Sequence, residues 1–231
     1  MNSIIFIAPP AAGKGTQSKK LMMKYHLPHI STGDLLRDAT KKDDERGRYI
    51  KEQMALGHLV SDEIINELMM ERLNQSDCAD GYILDGFPRS LEQAYAYNEI
   101  LEKLNKPLGH VIYLSIDEET AKKRILGRIS CPKCGAVYND MIDVLKPKEE
   151  GICDHCGHAL EKRVDDNEET FCNRFETYMK NTEPLLDYYR KLNAVSTIDS
   201  TQDADTIFEE IETILRSQAW LQLRLQNKLN C

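Results

Sequence analysis

A loop of small residues near the start of the sequence contains the first side chain that could do chemistry. The apolar residues 4–7 lead into this loop, and Lys14, Gly15 and Thr16 close it. Backbone amides in such a loop, with the positive end of a following helix, can surround a di- or triphosphate, and a lysine there reaches the outer phosphates. The order predicts a strand, a phosphate-binding loop and a helix over residues 14–25.

This loop departs twice from the usual G-x-x-x-x-G-K-[ST] pattern of phosphate loops. Ala8 occupies the position of the first glycine. Gly15 stands where a Mg²⁺-binding serine or threonine is usual, and Thr16 follows one place later. The alternative interpretation is a tight turn between a strand and a helix that carries a surface lysine.

Four of the seven cysteines form two C-x-x-C pairs. Cys131 and Cys134 are separated from Cys153 and Cys156 by 18 residues, a spacing typical of a structural zinc site. Four thiolates at about 2.3 Å complete a tetrahedron and leave no open position, so we expect a structural and not a catalytic metal. Iron is the alternative metal, because sulfur ligation does not choose between the two. A disulfide or a metal-free pair of loops is the alternative without metal.

Strand and helix patterns alternate around these two groups of residues. Strands are predicted at residues 4–7, 27–31, 81–85, 111–114 and 194–198, and helices at 14–25, 49–56, 62–73, 91–104, 118–126, 165–192 and 204–225. This alternation indicates an α/β fold with a parallel sheet covered by helices on both faces. Asp85 ends one of these strands, at the edge where ligands bind in open parallel sheets.

Two segments interrupt the alternation. Residues 31–60 form a helical insertion that contains a polar hinge at 43–47, and residues 127–164 form a small β-rich lobe that contains the cysteine pairs. A lobe of this size buries little apolar area, so a bound metal is expected to supply folding energy. The remaining residues, 1–30, 61–126 and 165–231, are predicted to form one core domain.

Composition narrows the possible partners of this 231-residue chain. The net charge of −8 argues against a general nucleic-acid or anionic-membrane binder, which would need a basic surface. No basic leader and no long apolar run is present, so neither export nor membrane insertion is expected. We therefore expect a cytoplasmic protein with reduced thiols.

Seven segments of the chain resemble those of adenylate kinase, in order and at compatible spacing. They are AAGKGTQ (11–17), STGDLLR (31–37), GHLVSDE (57–63), LDGFPR (84–89), RILGR (124–128), RVDDNEET (163–170) and NR (173–174). The resemblance covers roughly residues 3–215. The lobe with four cysteines is similar to the long lid of the zinc-containing bacterial-type form.

The resemblance implies a P-loop kinase with a five-stranded parallel sheet, a helical nucleoside-monophosphate-binding insertion and a zinc-ribbon-like β lid. Its reaction would be ATP + AMP ⇌ 2 ADP with Mg²⁺, carried out by a monomer whose lid closes to exclude water. The implied ATP-binding residues are Ala11, Ala12, Gly13, Lys14, Gly15, Thr16, Arg124, Arg128, Val137, Tyr138 and Gln202.

The resemblance also implies an AMP site and a catalytic set. The AMP-binding residues would be Thr32, Gly33, Arg37, His58, Leu59, Val60, Gly86, Phe87, Pro88, Arg89, Gln93, Arg163 and Arg174. The catalytic set would be Lys14, Arg89, Arg128, Arg163, Arg174 and Asp85, with Asp85 positioning the hydrated Mg²⁺. Zn²⁺ would be held by Cys131, Cys134, Cys153 and Cys156. Asp165 and Asp166 would orient arginines and cap a helix.

Two departures from the family pattern bear on the predicted activity. Ala8 and Ala11 replace loop glycines, and a left-handed Ala11 would carry strain of about 1–2 kcal/mol. They favour, as one alternative, a zinc-ribbon nucleotide-binding module without catalysis. The nearest alternative is a kinase for another nucleoside monophosphate, UMP or CMP, which usually resembles a short-lid form. Trp220, in the segment that extends past the family core, is expected to pack on that core.

Overall fold

The computed structural model describes residues 3–55, 60–163 and 166–217. Its central element is a sheet of five parallel strands, in the order β2-β3-β1-β4-β7. These strands are β1 (Ile4–Ile7), β2 (His29–Ser31), β3 (Ile83–Asp85), β4 (His110–Ser115) and β7 (Val195–Asp199). The predicted fold class is confirmed.

Nine helices of at least eight residues are found in the described part of the chain. They are α1 (Lys14–Tyr25), α2 (Thr32–Ala39), α3 (Glu45–Ala55), α4 (Asp62–Leu73), α5 (Leu91–Lys103), α6 (Glu118–Leu126), α7 (Glu168–Thr177), α8 (Pro184–Lys191) and α9 (Ala204–Ser217). Short 3₁₀ turns lie at Ser76–Cys78 and Asp143–Leu145. None of these helices combines the length and apolar character that crossing a membrane requires.

Successive strand residues face opposite sides of the sheet, and both sides are buried. Ile5 and Leu84 pack with α4, α5 and α8 on one side, whereas Ile4 and Ile83 pack with α1 and α9 on the other. Side chains alternate across a strand, so a run of apolar residues fills two cores at once. This arrangement fixes the carboxyl ends of the strands along one edge, where the phosphate loop and Asp85 lie.

The insertion between β2 and β3 has a small core of its own. Ala39, Ile50, Val60 and Leu68 are buried together there. The helix predicted from residue 49 begins at Glu45, so the prediction of a hinge at 43–47 is wrong at its carboxyl end. The cause is Asp44, whose Oδ1 accepts a hydrogen bond from the Gly47 amide at 2.6 Å and starts the helix early.

The cysteine-rich lobe contains the antiparallel strands β5 (Arg128–Ser130) and β6 (Val137–Asn139). Isolated bridges join Ser130 to Glu161 and Ile152 to Ala159. Between residues 127 and 163, all of which the structure describes, the only helical segment is the turn Asp143–Leu145. The predicted β-rich lobe without a long helix is therefore confirmed.

The predicted helix over residues 165–192 is divided in the structure. Helix α7 ends at Thr177, a π-helical segment spans Tyr178–Thr182, and α8 begins at Pro184. Pro184 has no amide hydrogen to continue an α-helical bond, so a new helix starts at this residue. The cap of α7 is Asn167, whose side chain accepts from the Thr170 amide, and not Asp166, which precedes it.

Candidate functional site

The phosphate loop joins β1 to α1 through two residues with positive φ. Gly13 immediately precedes α1 at φ 86°, and Ala11 lies at φ 63°. A left-handed alanine costs about 1–2 kcal/mol, so the strain predicted for a left-handed Ala11 is present in this loop. The Lys14 ammonium donates to Ala8 O at 3.1 Å, across the loop. The Thr16 amide donates to Gly13 O at 3.0 Å and so belongs to the first turn of α1.

Lys14 lies within electrostatic reach of Asp85, Arg89 and Arg174, and these four side chains are called the cleft hereafter. Its side chain is half-buried, and the surrounding protein, by displacing water, lowers the pKa of Lys14. Asp85 opposes this lowering of the pKa, whereas Arg89 and Arg174 add to it. The fold thus brings four predicted site residues together from a loop, a strand end, a turn and a helix.

Asp85 remains ionised in this cleft. Burial alone would raise the pKa of Asp85, but the neighbouring His29 and the charges of Lys14 and Arg89 outweigh it and leave that pKa below its usual value. His29 Nε2 lies 3.5 Å from Asp85 Oδ2. An ionised carboxylate at this sheet edge offers oxygen atoms that a hard cation such as Mg²⁺ prefers.

The turn after β3 holds Arg89 against the first residue of α2. Arg89 Nε donates to Gly86 O at 2.7 Å, and Nη2 lies 3.4 Å from Thr32 Oγ1. The Thr32 hydroxyl donates to the same Gly86 carbonyl at 3.1 Å. Gly86 has φ 80°, and a Cβ there would approach Arg89 Nη2 to 2.7 Å, so this position suits only glycine.

Gln93 supports this turn from the first residues of α5. Its Oε1 accepts from the Arg89 amide at 2.8 Å, and its Nε2 donates to Asp62 Oδ1 at 2.7 Å. Phe87 is 1% exposed and packs edge-on against Tyr97, so its side chain belongs to the core. Pro88 is buried in the same turn.

The remaining predicted AMP residues are spread along the insertion. Arg37 pairs with Asp34 on the same helix, and its guanidinium covers Gly33, where a Cβ would meet it at 3.3 Å. Val60 is buried in the core of the insertion. His58 and Leu59 lie outside the described residues, as do Gly57, Asp165 and Trp220.

Arg128 lies at the base of the lobe and forms a bidentate salt bridge with Asp166. Arg128 Nε donates to Asp166 Oδ2 at 2.7 Å, Nη2 donates to Oδ1, and the Asp166 side chain is fully buried. Arg163 is exposed three residues before this aspartate. The structure therefore pairs Arg128 with one of the two aspartates expected to orient arginines.

Two predicted ATP residues contact the backbone at and just after the end of β7. Arg124 is half-buried and its Nη2 lies 3.4 Å from Thr201 O. Burial lowers the pKa of Arg124, and the charges of Asp199 and Asp117 oppose it. Gln202 Nε2 donates to Asp199 O at 3.2 Å and to Glu210 at 2.9 Å.

The other two predicted ATP residues lie on β6. Val137 is 48% exposed. The Tyr138 hydroxyl accepts from the Asp154 amide at 2.8 Å and lies 3.6 Å from Cys153 Sγ. The phenol end of Tyr138 is therefore turned toward the cysteines, a contact that the sequence pattern did not predict.

The four cysteines form a cluster whose geometry suits one tetrahedral metal ion. Their sulfur atoms lie within 4.8 Å of one another, with two pairs at 3.5 Å. Four sulfurs at about 2.3 Å from a zinc ion would be about 3.8 Å apart, whereas a disulfide requires about 2.05 Å. In each knuckle a glycine at positive φ donates to the first cysteine, Gly135 to Cys131 O and Gly157 to Cys153 O, both at 2.8 Å.

Sequence reasoning missed several residues that support this site. His29 contacts Asp85 only because β2 lies beside β3 in parallel register, with Ser31 opposite Asp85. Asp62 contacts Gln93 across two helices. Lys19 on α1 donates to Gly135 O and so links the lobe to the core. Each contact depends on tertiary neighbours and has no local sequence signal.

A phosphate loop after the first strand, an acidic residue at the end of β3 and arginines around the cleft define a P-loop kinase of nucleoside monophosphates. Comparisons with known proteins agree. Residues 6–194 match the family model described as adenylate kinase. The chain belongs to the adenylate kinase family.

Relatives named adenylate kinase match nearly the whole chain. The protein from Archaeoglobus fulgidus is 49% identical over 92% of this chain and 97% of its own length. The protein from Thermosipho africanus is 43% identical over 93% and 99%, and that from Methanosarcina barkeri is 45% identical over 95% and 100%. Members of this family are phosphotransferases, which agrees with the predicted reaction class.

Proposed function

We propose that this protein catalyses the reversible, Mg²⁺-dependent transfer of the terminal phosphoryl group of ATP to AMP, giving two ADP. The observation that carries the proposal is that β1, which leads into the phosphate loop and Lys14, lies beside β3, which ends at Asp85 and leads into the turn with Arg89. Phosphoryl transfer requires alignment of the two phosphates and positive charge around the transferred group, and little covalent work by the protein. The relatives named adenylate kinase support AMP as the acceptor.

On the ATP side, the loop amides and the Lys14 ammonium are proposed to hold the phosphates. The ammonium donates to Ala8 O, and phosphate oxygens would replace this carbonyl as its partner. Arg124 and Gln202 contact the backbone at and just after the end of β7, where they would face the adenine and ribose. Arg128, Val137 and Tyr138 would contact ATP from the lid.

On the AMP side, Arg89 is proposed to bind the phosphate. Its guanidinium is held beside Thr32 and Gly86, so it is positioned before the substrate arrives. Gln93 would orient the base from the neighbouring helix turn, and Arg37 would exchange Asp34 for a phosphate oxygen. Arg163 and Arg174 would bridge the two substrates.

Asp85 is proposed to hold the waters of a hydrated Mg²⁺. The metal, when bound with ATP, would neutralise charge on the β- and γ-phosphates. This chain's part is to keep the carboxylate ionised and oriented, which His29 and Lys14 support. No side chain is assigned the role of general base, since the attacking group is itself a phosphate oxygen.

We further propose that residues 127–164 form a lid stapled by zinc and residues 31–60 an AMP-binding lobe, both moving against a core of residues 1–30, 61–126 and 165–231. Closure of two lobes would exclude water and so prevent hydrolysis of ATP. The sulfur geometry supports a metal ion at Cys131, Cys134, Cys153 and Cys156. A cytoplasmic location, a monomeric state and the absence of nucleic-acid or membrane partners stay predictions.

A coupled assay of ADP formation tests the proposal, with ATP paired in turn with AMP, GMP, CMP and UMP. We expect activity with AMP that exceeds the other three. Preference for UMP or CMP would replace the proposed acceptor, and ATP binding without turnover of any pair would identify a binding module.

The Lys14→Met variant tests the role of the phosphate loop. Because Lys14 is proposed to serve the transferring phosphates, we expect turnover to fall by about 100-fold or more with an unchanged melting temperature. Lys103→Met, an exposed lysine in the last turn of α5, is the matched control and should retain full activity. Near-normal turnover of Lys14→Met would remove this residue from the mechanism.

A further inference from the structure

The helix that carries Arg174 changes its hydrogen bonding just after that residue. The π-helical segment Tyr178–Thr182, the π-turn hereafter, closes with the Glu183 amide donating to Tyr178 O at 3.0 Å, five residues back. Such a turn adds one residue to the helix and rotates the next helical residues by about 100°. Single π-turns inside α-helices are frequent at functional sites.

The Thr182 hydroxyl, at the end of the π-turn, forms its hydrogen bond with a residue outside its own helix. A threonine inside a helix commonly donates to a carbonyl four residues back. Thr177 does this, with Oγ1 2.7 Å from Asn173 O. Thr182 instead donates to Arg89 O at 3.0 Å, a residue 93 positions away in the chain.

Both backbone polar groups of Arg89 therefore form hydrogen bonds with side chains of other residues. Its amide donates to Gln93 Oε1 at 2.8 Å, and its carbonyl accepts from Thr182 at 3.0 Å. Its own side chain reaches Gly86 O and Thr32 Oγ1. The backbone of this turn is therefore located from α5 on one side and from the π-turn on the other.

The π-turn thus connects the two arginine-bearing elements of the cleft. Arg174 lies one helical turn before Tyr178, and its charge acts on both Lys14 and Arg89. Tyr178 is 6% exposed and, with Leu185 and Leu186, fixes the segment in the core on both sides of the π-turn. An anchored segment can hold Arg89 at a defined distance from Arg174.

We propose that Thr182 is a positioning residue for AMP: through Arg89 O, its hydroxyl fixes the turn that presents the Arg89 guanidinium to the AMP phosphate. This inference rests on the proposed function. It predicts an effect confined to one substrate, because no contact of Thr182 given by the structure reaches the phosphate loop or the lid. Loss of one neutral hydrogen bond is expected to weaken AMP binding about fivefold.

The test uses the full chain in three variants. Thr182→Val removes the hydroxyl and keeps the shape, Thr182→Ser keeps a hydroxyl, and Thr177→Val is the matched control from the same helix. The measurements are KM for AMP, KM for ATP, kcat, the Kd of AMP by calorimetry without ATP, and the melting temperature.

We expect Thr182→Val to raise both KM and Kd for AMP about fivefold with KM for ATP within twofold of wild type, and Thr182→Ser and Thr177→Val to resemble wild type. Unchanged AMP affinity in Thr182→Val, with or without a lower melting temperature, overturns the inference, as does an equal rise in both KM values. A wild-type protein that neither binds AMP nor turns it over defeats the proposed function, and the inference with it.

Discussion

Ala11 occupies a backbone conformation that ordinarily belongs to glycine. Its φ of 63° lies in the left-handed region, where the methyl group crowds the following carbonyl. The neighbours fix this conformation, since Ala12 is 1% exposed in the core and Lys14 ties its ammonium to Ala8 O. The loop therefore keeps its shape at a cost in stability.

Replacing Ala11 with glycine should stabilise the protein. The Ala11→Gly substitution relieves about 1–2 kcal/mol of strain but increases the freedom of the unfolded chain by about 0.4–1 kcal/mol, so we expect a net gain of about 0.5–1 kcal/mol in the free energy of unfolding. Ala12→Gly, at a buried position without positive φ, is the control and should lose about 1 kcal/mol. Urea denaturation measures both, and equal losses in the two variants would contradict the explanation.

The sequence located the residues that form the cleft but not the contacts that hold them. Lys14 and Asp85 follow from a loop pattern and a strand end, both of which are local. The anchoring of Arg89 by Thr182, and the contact of His29 with Asp85, depend on residues far apart in the chain. Tyr138 shows the same limit, because its predicted location on the lid does not reveal that its hydroxyl faces Cys153.

At the scale of elements, local patterns predicted the ends of several helices but missed a break inside one of them. The helices at 14–25, 62–73 and 118–126 match their predicted bounds. The predicted helix at 165–192 is wrong in its interior, where Pro184 and the π-turn divide it. Helical periodicity alone does not reveal an added residue.

The lobe with four cysteines buries few apolar side chains of its own. Its strands β5 and β6 have three residues each, and Met141, Val144 and Leu145 are exposed on its surface. Such a lobe gains little from apolar burial, so metal binding should provide much of its folding free energy.

Removing one thiolate should therefore unfold the lobe selectively. For Cys153→Ser we expect less than one metal ion per chain, a lower melting temperature and faster proteolysis within residues 127–163, because three sulfurs leave the tetrahedron open. Cys172→Ser, at an exposed cysteine outside the cluster, is the control and should keep one ion per chain. Metal analysis by mass spectrometry decides the outcome, and unchanged metal content with unchanged melting in Cys153→Ser would contradict a structural metal site.

At the scale of the whole molecule, the first and last described helices are joined. Glu212 on α9 is 7% exposed and accepts from Tyr25 on α1, with Lys24 and Arg216 beside it. The sequence predicted both helices but not their pairing, because the order of strands in the sheet determines which helices become neighbours. Hydrophobic periodicity gives no sign of a carboxylate buried between them.

Glu212 should make the stability of the molecule depend on pH. Burial alone would raise the pKa of Glu212, but hydrogen bonds from Lys24 and Tyr25 and the charges of Lys24 and Arg216 bring it below its ordinary value of 4.5. A carboxylate with a lowered folded-state pKa stabilises the fold above the unfolded-state pKa, and this stabilisation is lost as pH falls through the folded-state pKa. At pH 7 we therefore expect Glu212→Gln to lower the free energy of unfolding by about 1–3 kcal/mol.

That deficit should shrink steadily below pH 4.5, because in the wild type the unfolded carboxylate gains its proton before the folded one does. Glu209→Gln, an exposed carboxylate on the same helix, is the matched control and should show a small deficit that does not vary with pH in this way. Thermal unfolding of the three proteins from pH 7 to pH 3 measures the difference. A Glu212→Gln deficit that stays constant across this range would mean that packing of the side chain, and not its charge, joins the two helices.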